Sequence, residues 1–176
     1  MMYLMSFTLV TALAAAQSTP YQLNDTVKRL LSAGENSAAV GVARQAASSA
    51  EVKLGPADPA TAMMLRNLAL AYLGISETGR AEASAKRALA ILEARFSSSD
   101  VSLVPVLNVL TETYTAEGRF DDACAVAERA VGIGPDAGPH YAIARHNLKA
   151  ITQLERRYPQ LWVLVDAHKG GSCRPR

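Results

Sequence analysis

The chain has 176 residues, of which 49% are hydrophobic and 19% are charged, and its formal net charge is +2. This length suits one ordinary domain with a real core, and this composition excludes an intrinsically disordered chain. So small a positive charge gives no reason to expect nucleic acid as the partner, and we predict none. Aromatic residues make up only 6%, while the abundant alanines favour helices that approach one another closely.

Residues 1–16 form an apolar segment that contains no charged side chain. The segment ends in Ala14-Ala15-Ala16, and small side chains at Ala14 and Ala16 suit cleavage by signal peptidase. No Lys or Arg precedes the apolar run, which departs from the usual signal peptide. We predict a signal peptide at 1–16 and an exported protein, periplasmic or secreted. The alternative is an uncleaved anchor, although the run is shorter than the ~20 residues that a membrane span needs.

The remainder of the chain repeats itself. Turn signals divide it into segments with helical spacing of apolar residues. A shift of 42 residues superposes Leu23, Leu65 and Leu107. The same shift aligns Leu30 with Tyr72 and Tyr114, Ala39 with Ala81 and Ala123, Ala43 with Ala85 and Ala127, and Ala46 with Ala88 and Ala130. We therefore predict three copies of one helix-turn-helix unit.

Each predicted unit joins a first helix with large apolar side chains to a second helix with an alanine face. The helix pairs are expected at 21–33 with 36–53, at 58–75 with 78–95, and at 101–117 with 120–133. Asp58 and Asp100 are predicted N-caps, because a carboxylate accepts hydrogen bonds from first-turn amides. A further helix over 139–157 is expected to cover the open end, and a tail follows over 158–176.

The second and third units resemble the tetratricopeptide repeat (TPR) family. The likeness lies in Asn67-Leu68-Ala69-Leu70-Ala71-Tyr72, Gly118-Arg119-Phe120-Asp121-Asp122-Ala123 and Arg87-Ala88-Leu89-Ala90-Ile91. The period exceeds the usual length of about 34 residues and is similar to that of kinesin light chains. Over residues 21–157 the resemblance implies an all-α, right-handed superhelical stack of three repeats and a capping helix. HEAT-type repeats are the alternative, and the alanine columns and Gly118 speak against them.

The resemblance also implies a binding surface, because first helices in that family line a concave groove that holds a peptide or a partner helix. Carried over by position, the groove here would display Asn24, Lys28, Arg66, Asn67, Leu70, Asn108, Glu112 and Thr115. The asparagines would bind a peptide backbone, and Arg66 would pair with a carboxylate. The alternative interpretation is that these polar side chains form a solvated face.

No pattern in the sequence indicates catalysis, a cofactor or a metal site. His140 and His146 are six residues apart, which places them on different faces of a helix, and neither a His-Glu-x-x-His nor a Cys-x-x-Cys motif occurs. The sequence leaves open whether Cys124 and Cys173 pair in an oxidising compartment. We predict an exported, non-catalytic module or scaffold that binds a protein or peptide. The alternative is a membrane-tethered assembly factor that retains its N-terminal segment.

Overall fold

The computed structural model describes residues 18–158, so the predicted signal peptide and all but the first residue of the predicted tail lie outside them. The described residues form seven α-helices and two 3-10 helices, and no strand occurs among them. The α-helices are α1 (Pro20–Ser32), α2 (Asn36–Lys53), α3 (Pro59–Gly74), α4 (Thr78–Glu93), α5 (Val104–Ala116), α6 (Phe120–Ile133) and α7 (Pro139–Arg157), and the 3-10 helices are Val101–Leu103 and Pro135–Ala137. The all-α class expected from the sequence is confirmed. Among residues 18–158, no helix is long and apolar enough to cross a membrane.

Two aspartates start the helical segments of the second and third units, as predicted. Each accepts a hydrogen bond from a backbone N–H two residues further on, at 2.7 Å for Asp58 and 2.8 Å for Asp100. The third unit then departs from the prediction, because Val101–Leu103 forms a 3-10 turn before α5 begins. Pro105 has no N–H to donate to the carbonyl of Val101, so this first turn cannot close as an α-helix.

The second helices α2, α4 and α6 bury the predicted alanine face. Its nine members are all at most 1% exposed: Ala39, Ala43, Ala46, Ala81, Ala85, Ala88, Ala123, Ala127 and Ala130. Large side chains of the first helices, among them Leu65, Tyr72 and Leu107, belong to the same core. The small face lets the two helices of a unit approach closely, which is what the 42-residue columns predict.

The helices form two layers. Successive first helices contact one another, α1 with α3, α3 with α5 and α5 with α7, whereas no comparable set of contacts joins α2 to α4 or α4 to α6. Because helices lie closer together on the inner side of a curved stack, the first helices form the concave layer and the second helices the convex layer. Helix α7 packs on both α5 and α6, and it therefore caps the open end.

Cys124 is buried on α6 and is disulfide-bonded. The other cysteine of the chain, Cys173, lies outside the described residues.

Candidate functional site

The eight predicted site residues all lie on the first helices, but they differ in exposure. Lys28 is exposed, and Arg66, Leu70, Glu112 and Thr115 are half-buried. The three asparagines are buried: Asn24 and Asn67 are 2% exposed, and Asn108 is 4% exposed. The expectation that all eight side chains face an open groove is therefore wrong for the asparagines.

Two of the asparagines bind each other instead of facing solvent. Asn67 Nδ2 donates to Asn24 Oδ1 at 2.5 Å, which joins α1 to α3. Asn67 Oδ1 in turn accepts hydrogen bonds from Arg66 Nε at 3.1 Å and from Arg66 Nη2 at 2.6 Å. The concave layer brings first helices so close that each covers polar side chains of the next. These two amides therefore hold the layer together and orient Arg66.

Asn108 is tied to the capping helix and is only partly satisfied. Its Nδ2 donates to the backbone carbonyl of His140 at 2.9 Å. Its Oδ1 is buried and has no hydrogen-bond partner among the described residues. Buried side-chain oxygens are nearly always paired, so this oxygen is an exception within the contact between α5 and α7.

Arg66 is a cation without a carboxylate partner. Burial lowers the pKa of its guanidinium, yet an arginine remains charged at any physiological pH. No carboxylate of residues 18–158 lies within ion-pair distance of it. The two bonds to Asn67 use only part of its donors, so the remaining N–H groups and the charge are available to an anionic group.

Two further titratable groups adjoin Arg66 and Asn108. Burial raises the pKa of the Glu112 carboxyl, and a hydrogen bond from Asn147 Nδ2, 3.5 Å away, partly opposes that rise. Burial lowers the pKa of His140, and the positive charge of Arg66 lowers it further. The concave layer thus places the Arg66 cation of α3 near the imidazole of His140 on α7, while the Glu112 carboxyl of α5 contacts Asn147 on the same helix α7.

His140 and Asn147 belong to this cluster, and sequence reasoning did not assign them to it. They lie on the capping helix, which does not align with the 42-residue columns. No sequence signal placed them there. Helix α7 packs on α5 as the other first helices pack on one another, and it therefore contributes to the same surface.

The remaining predicted residues lie outside this cluster or have their polar groups bound. Lys28 Nζ pairs with Asp25 Oδ1 at 3.2 Å on the exposed side of α1. Thr115 Oγ1 donates to the carbonyl of Thr111 at 2.8 Å within α5. Leu70 is half-buried and packs against the core. A partner-binding role for each of these residues stays a prediction.

The described part of the chain contains no group of three or more His, Cys, Asp or Glu residues that could hold a metal ion. What the concave layer offers to a ligand is a half-buried guanidinium without a carboxylate partner and a partly desolvated carboxyl group. Such groups suit the recognition of charged and hydrogen-bonding groups.

No family profile and no curated protein sequence matches this chain. Solved structures do match it. A Podosopora anserina protein assigned as a kinesin light chain, with nearly identical TPR-like repeats, has a TM-score of 0.69 at 19% identity, covering 84% of this chain and 72% of that one. Its Q17M variant has the same TM-score at 18% identity, with 84% and 71% covered. BtubC (BKLC) from P. vanneervenii has a TM-score of 0.61 at 16% identity, with 91% and 71% covered.

At these identities the likeness establishes the fold and nothing finer. The chain has the fold of TPR-like repeats of the kinesin light chain type. The resemblance drawn from the repeat columns is therefore confirmed at the level of architecture. Activity and partner do not follow from a shared fold.

Proposed function

We propose that this protein is an exported interaction module or scaffold, which binds a segment of a partner protein on its concave layer and catalyses no reaction. One observation carries the proposal: the guanidinium of Arg66 is half-buried in the concave layer and has no carboxylate partner among residues 18–158. Because it is partly removed from water, it gains more from an anionic ligand than an exposed arginine does.

The binding chemistry follows from the free donors of Arg66. A partner carboxylate pairs with these donors, and charge-assisted bonds of this kind are the stronger class. Because Asn67 and the packed first helices already hold Arg66 in place, little side-chain freedom is lost on binding.

The test is co-purification from the native host after crosslinking, with the full chain carrying a C-terminal tag. We expect the Arg66→Gln variant to lose a partner that the wild-type chain retains. Arg95→Gln is the matched control, because Arg95 is an exposed arginine in the turn after α4 and undergoes the same loss of charge. Retention of every partner by the Arg66 variant contradicts binding at the concave cluster.

Export is a separate part of the proposal. The apolar run at 1–16 with small residues before Gln17 supports it. N-terminal sequencing of the mature protein and cell fractionation test it. We expect Gln17 as the first residue, in the periplasm or the medium. A chain that begins at Met1 in the membrane fraction supports the tethered assembly factor instead.

A further inference from the structure

A second groove lies on the convex face, between α2 and α4. Its floor consists of Leu65, Leu68 and Tyr72 of α3, and its volume is about 1060 Å³. The groove is wide because small residues, among them Gly41 on α2 and Ser84 on α4, line its walls. It is open along its length, so it suits a chain segment better than an enclosed small molecule.

One end of this convex groove is basic. The Arg80 guanidinium lies 5.8 Å from the centroid of the Tyr72 ring. Its nearest carboxylate is Glu77, 3.7 Å away, and both side chains are at least half exposed, so the pair is weak. Arg44 also lines the groove, and it has no ion-pair partner among residues 18–158.

The convex groove between α2 and α4 can be compared with the space between α4 and α6, because a shift of 42 residues relates the two pairs of helices. At the other end of the convex groove, Arg87 pairs with Glu51 at 2.6 Å. The equivalent residues between α4 and α6, Arg129 and Glu93, form the same pair at 2.6 Å. The two inter-repeat spaces are therefore built alike at this end.

At the basic end the two spaces differ. Between α4 and α6, the ring of Tyr114, the equivalent of Tyr72, lies 4.2 Å from Arg119. Glu82 accepts from Lys86 at 2.7 Å and from Arg119 at 3.0 Å. Two more carboxylates bind Arg119 there: Glu117 at 2.9 Å and Asp122 at 2.7 Å. Three carboxylates thus neutralise the cations of this space.

None of these three carboxylates has an equivalent in the convex groove. Val40 stands at the position of Glu82, Ile75 at that of Glu117, and Arg80 at that of Asp122. Lys86 corresponds to Arg44, so this cation is kept without an ion-pair partner, whereas Glu77 stands at the position of Arg119 and pairs weakly with Arg80. The result is a surface with an apolar floor, one arginine without a carboxylate and a second arginine in a weak, exposed pair.

We propose that the convex groove binds an acidic amphipathic helix of a partner protein. One carboxylate of that helix pairs with Arg44 as Glu82 pairs with Lys86 in the next inter-repeat space, a second carboxylate pairs with Arg80, and the apolar face of the helix lies on Leu68 and Tyr72. The wall from Arg80 to Arg87 spans about two helical turns, roughly 10 Å, which is enough for carboxylates spaced four residues apart.

The probe is a fluorescein-labelled synthetic peptide on the order of 15 residues, an amphipathic helix of Glu and Leu, with a matched peptide in which every Glu is Gln. Anisotropy measures its binding to the full mature chain. We expect the Gln peptide to bind about tenfold more weakly, and the Arg44→Gln/Arg80→Gln variant to weaken binding of the Glu peptide about tenfold, because charge-assisted hydrogen bonds are lost.

Two controls keep this result specific. Arg29→Gln/Arg95→Gln removes the same charge from exposed arginines outside the groove and should leave binding unchanged. Val40→Glu restores a carboxylate within the chain, and it should weaken peptide binding while raising the melting temperature. Equal binding of the Glu and Gln peptides, undiminished binding by the Arg44/Arg80 variant, or no binding at all overturns the proposal. So does a loss of binding in Arg66→Gln, because it would place the peptide in the concave cluster.

Discussion

At the scale of single residues, the Asn24–Asn67 pair shows how the concave layer uses polar groups. We expect Asn67→Ala to lower the free energy of unfolding by about 1–3 kcal/mol, since it leaves Asn24 Oδ1 buried without a donor and Arg66 without its acceptor. Urea unfolding measures the change. The Asn24→Ala/Asn67→Ala double variant should lose less than the sum of the single losses. Strict additivity contradicts this pairing.

Gly74, the last residue of α3, allows a close contact between repeats. Asn36 Nδ2 donates to the carbonyl of Gly74 at 3.1 Å, and a Cβ at Gly74 would collide with the Asn36 side chain. We expect Gly74→Ala to destabilise the native chain by about 1 kcal/mol, through loss of that hydrogen bond. In an Asn36→Ala background the same change should be neutral or stabilising, because alanine favours helix over glycine. Thermal unfolding of the native chain, the two single variants and the double variant tests whether the effect of Gly74→Ala on stability changes sign in the Asn36→Ala background.

Glu112 predicts a pH dependence. Burial raises the folded-state pKa of this carboxyl group, so the fold favours its neutral form over the ionised carboxylate. The free energy of unfolding is therefore highest below the unfolded-state pKa, near 4.5, where the group is protonated. It falls as the pH rises through the folded-state pKa and the group ionises. We expect Glu112→Gln to gain stability over the native chain between pH 4 and pH 7, as followed by urea unfolding. If the variant and the native chain differ in free energy of unfolding by the same amount at both pH values, the raised pKa of Glu112 is contradicted. Glu128→Gln, at an exposed position on α6, is the control.

The sequence identified part of the concave cluster and missed part of it, for a physical reason. Column positions were enough to identify Arg66 and Glu112, because the repeat fixes which helix face a residue lies on. They could not reveal that Asn24 and Asn67 are covered, since burial depends on the spacing between successive first helices. His140 was missed because α7 does not follow the 42-residue spacing.

At the scale of helices, the alanine face of the second helices should tolerate no large side chain. We expect Ala85→Leu to cost about 1–3 kcal/mol by overpacking α4 against its neighbours, because Ala85 is fully buried. Ala90→Leu, on the exposed side of the same helix, should change the free energy of unfolding little. Denaturant titration of both variants tests this. Equal effects would contradict the assignment of the two faces.

Helix positions were largely predictable, because apolar spacing, caps and glycine turns are local signals. The one departure, the 3-10 turn at Val101–Leu103, follows from Pro105, which removes a backbone donor. The packing of the helices into two layers could not be predicted from local signals. It was predicted from the repeat, because equivalent units must pack in the same way. The architecture that the second and third units indicated therefore also applied to the first unit, in which the family likeness is weaker.

At the scale of the whole molecule, the repeats matter most where they differ. The pair Glu51–Arg87 recurs as Glu93–Arg129, which is what a stack of equivalent units requires. Arg44 keeps the place of Lys86 without a carboxylate, and Arg80 has only its weak pair with Glu77, a difference between the repeats that stacking equivalent units does not require. Together with the concave cluster around Arg66, it gives the stack candidate sites on opposite faces, an arrangement that suits a scaffold joining two proteins.

The most direct test of the concave site is site-specific photo-crosslinking in the native host. A photoreactive residue replaces Leu70, which is half-buried on α3 in the concave layer, and in a second strain it replaces Phe96, which is exposed in the turn after α4. We predict an adduct of higher mass from position 70 and none from position 96. No adduct at position 70, or equal adducts at both positions, would contradict the concave layer as the binding surface.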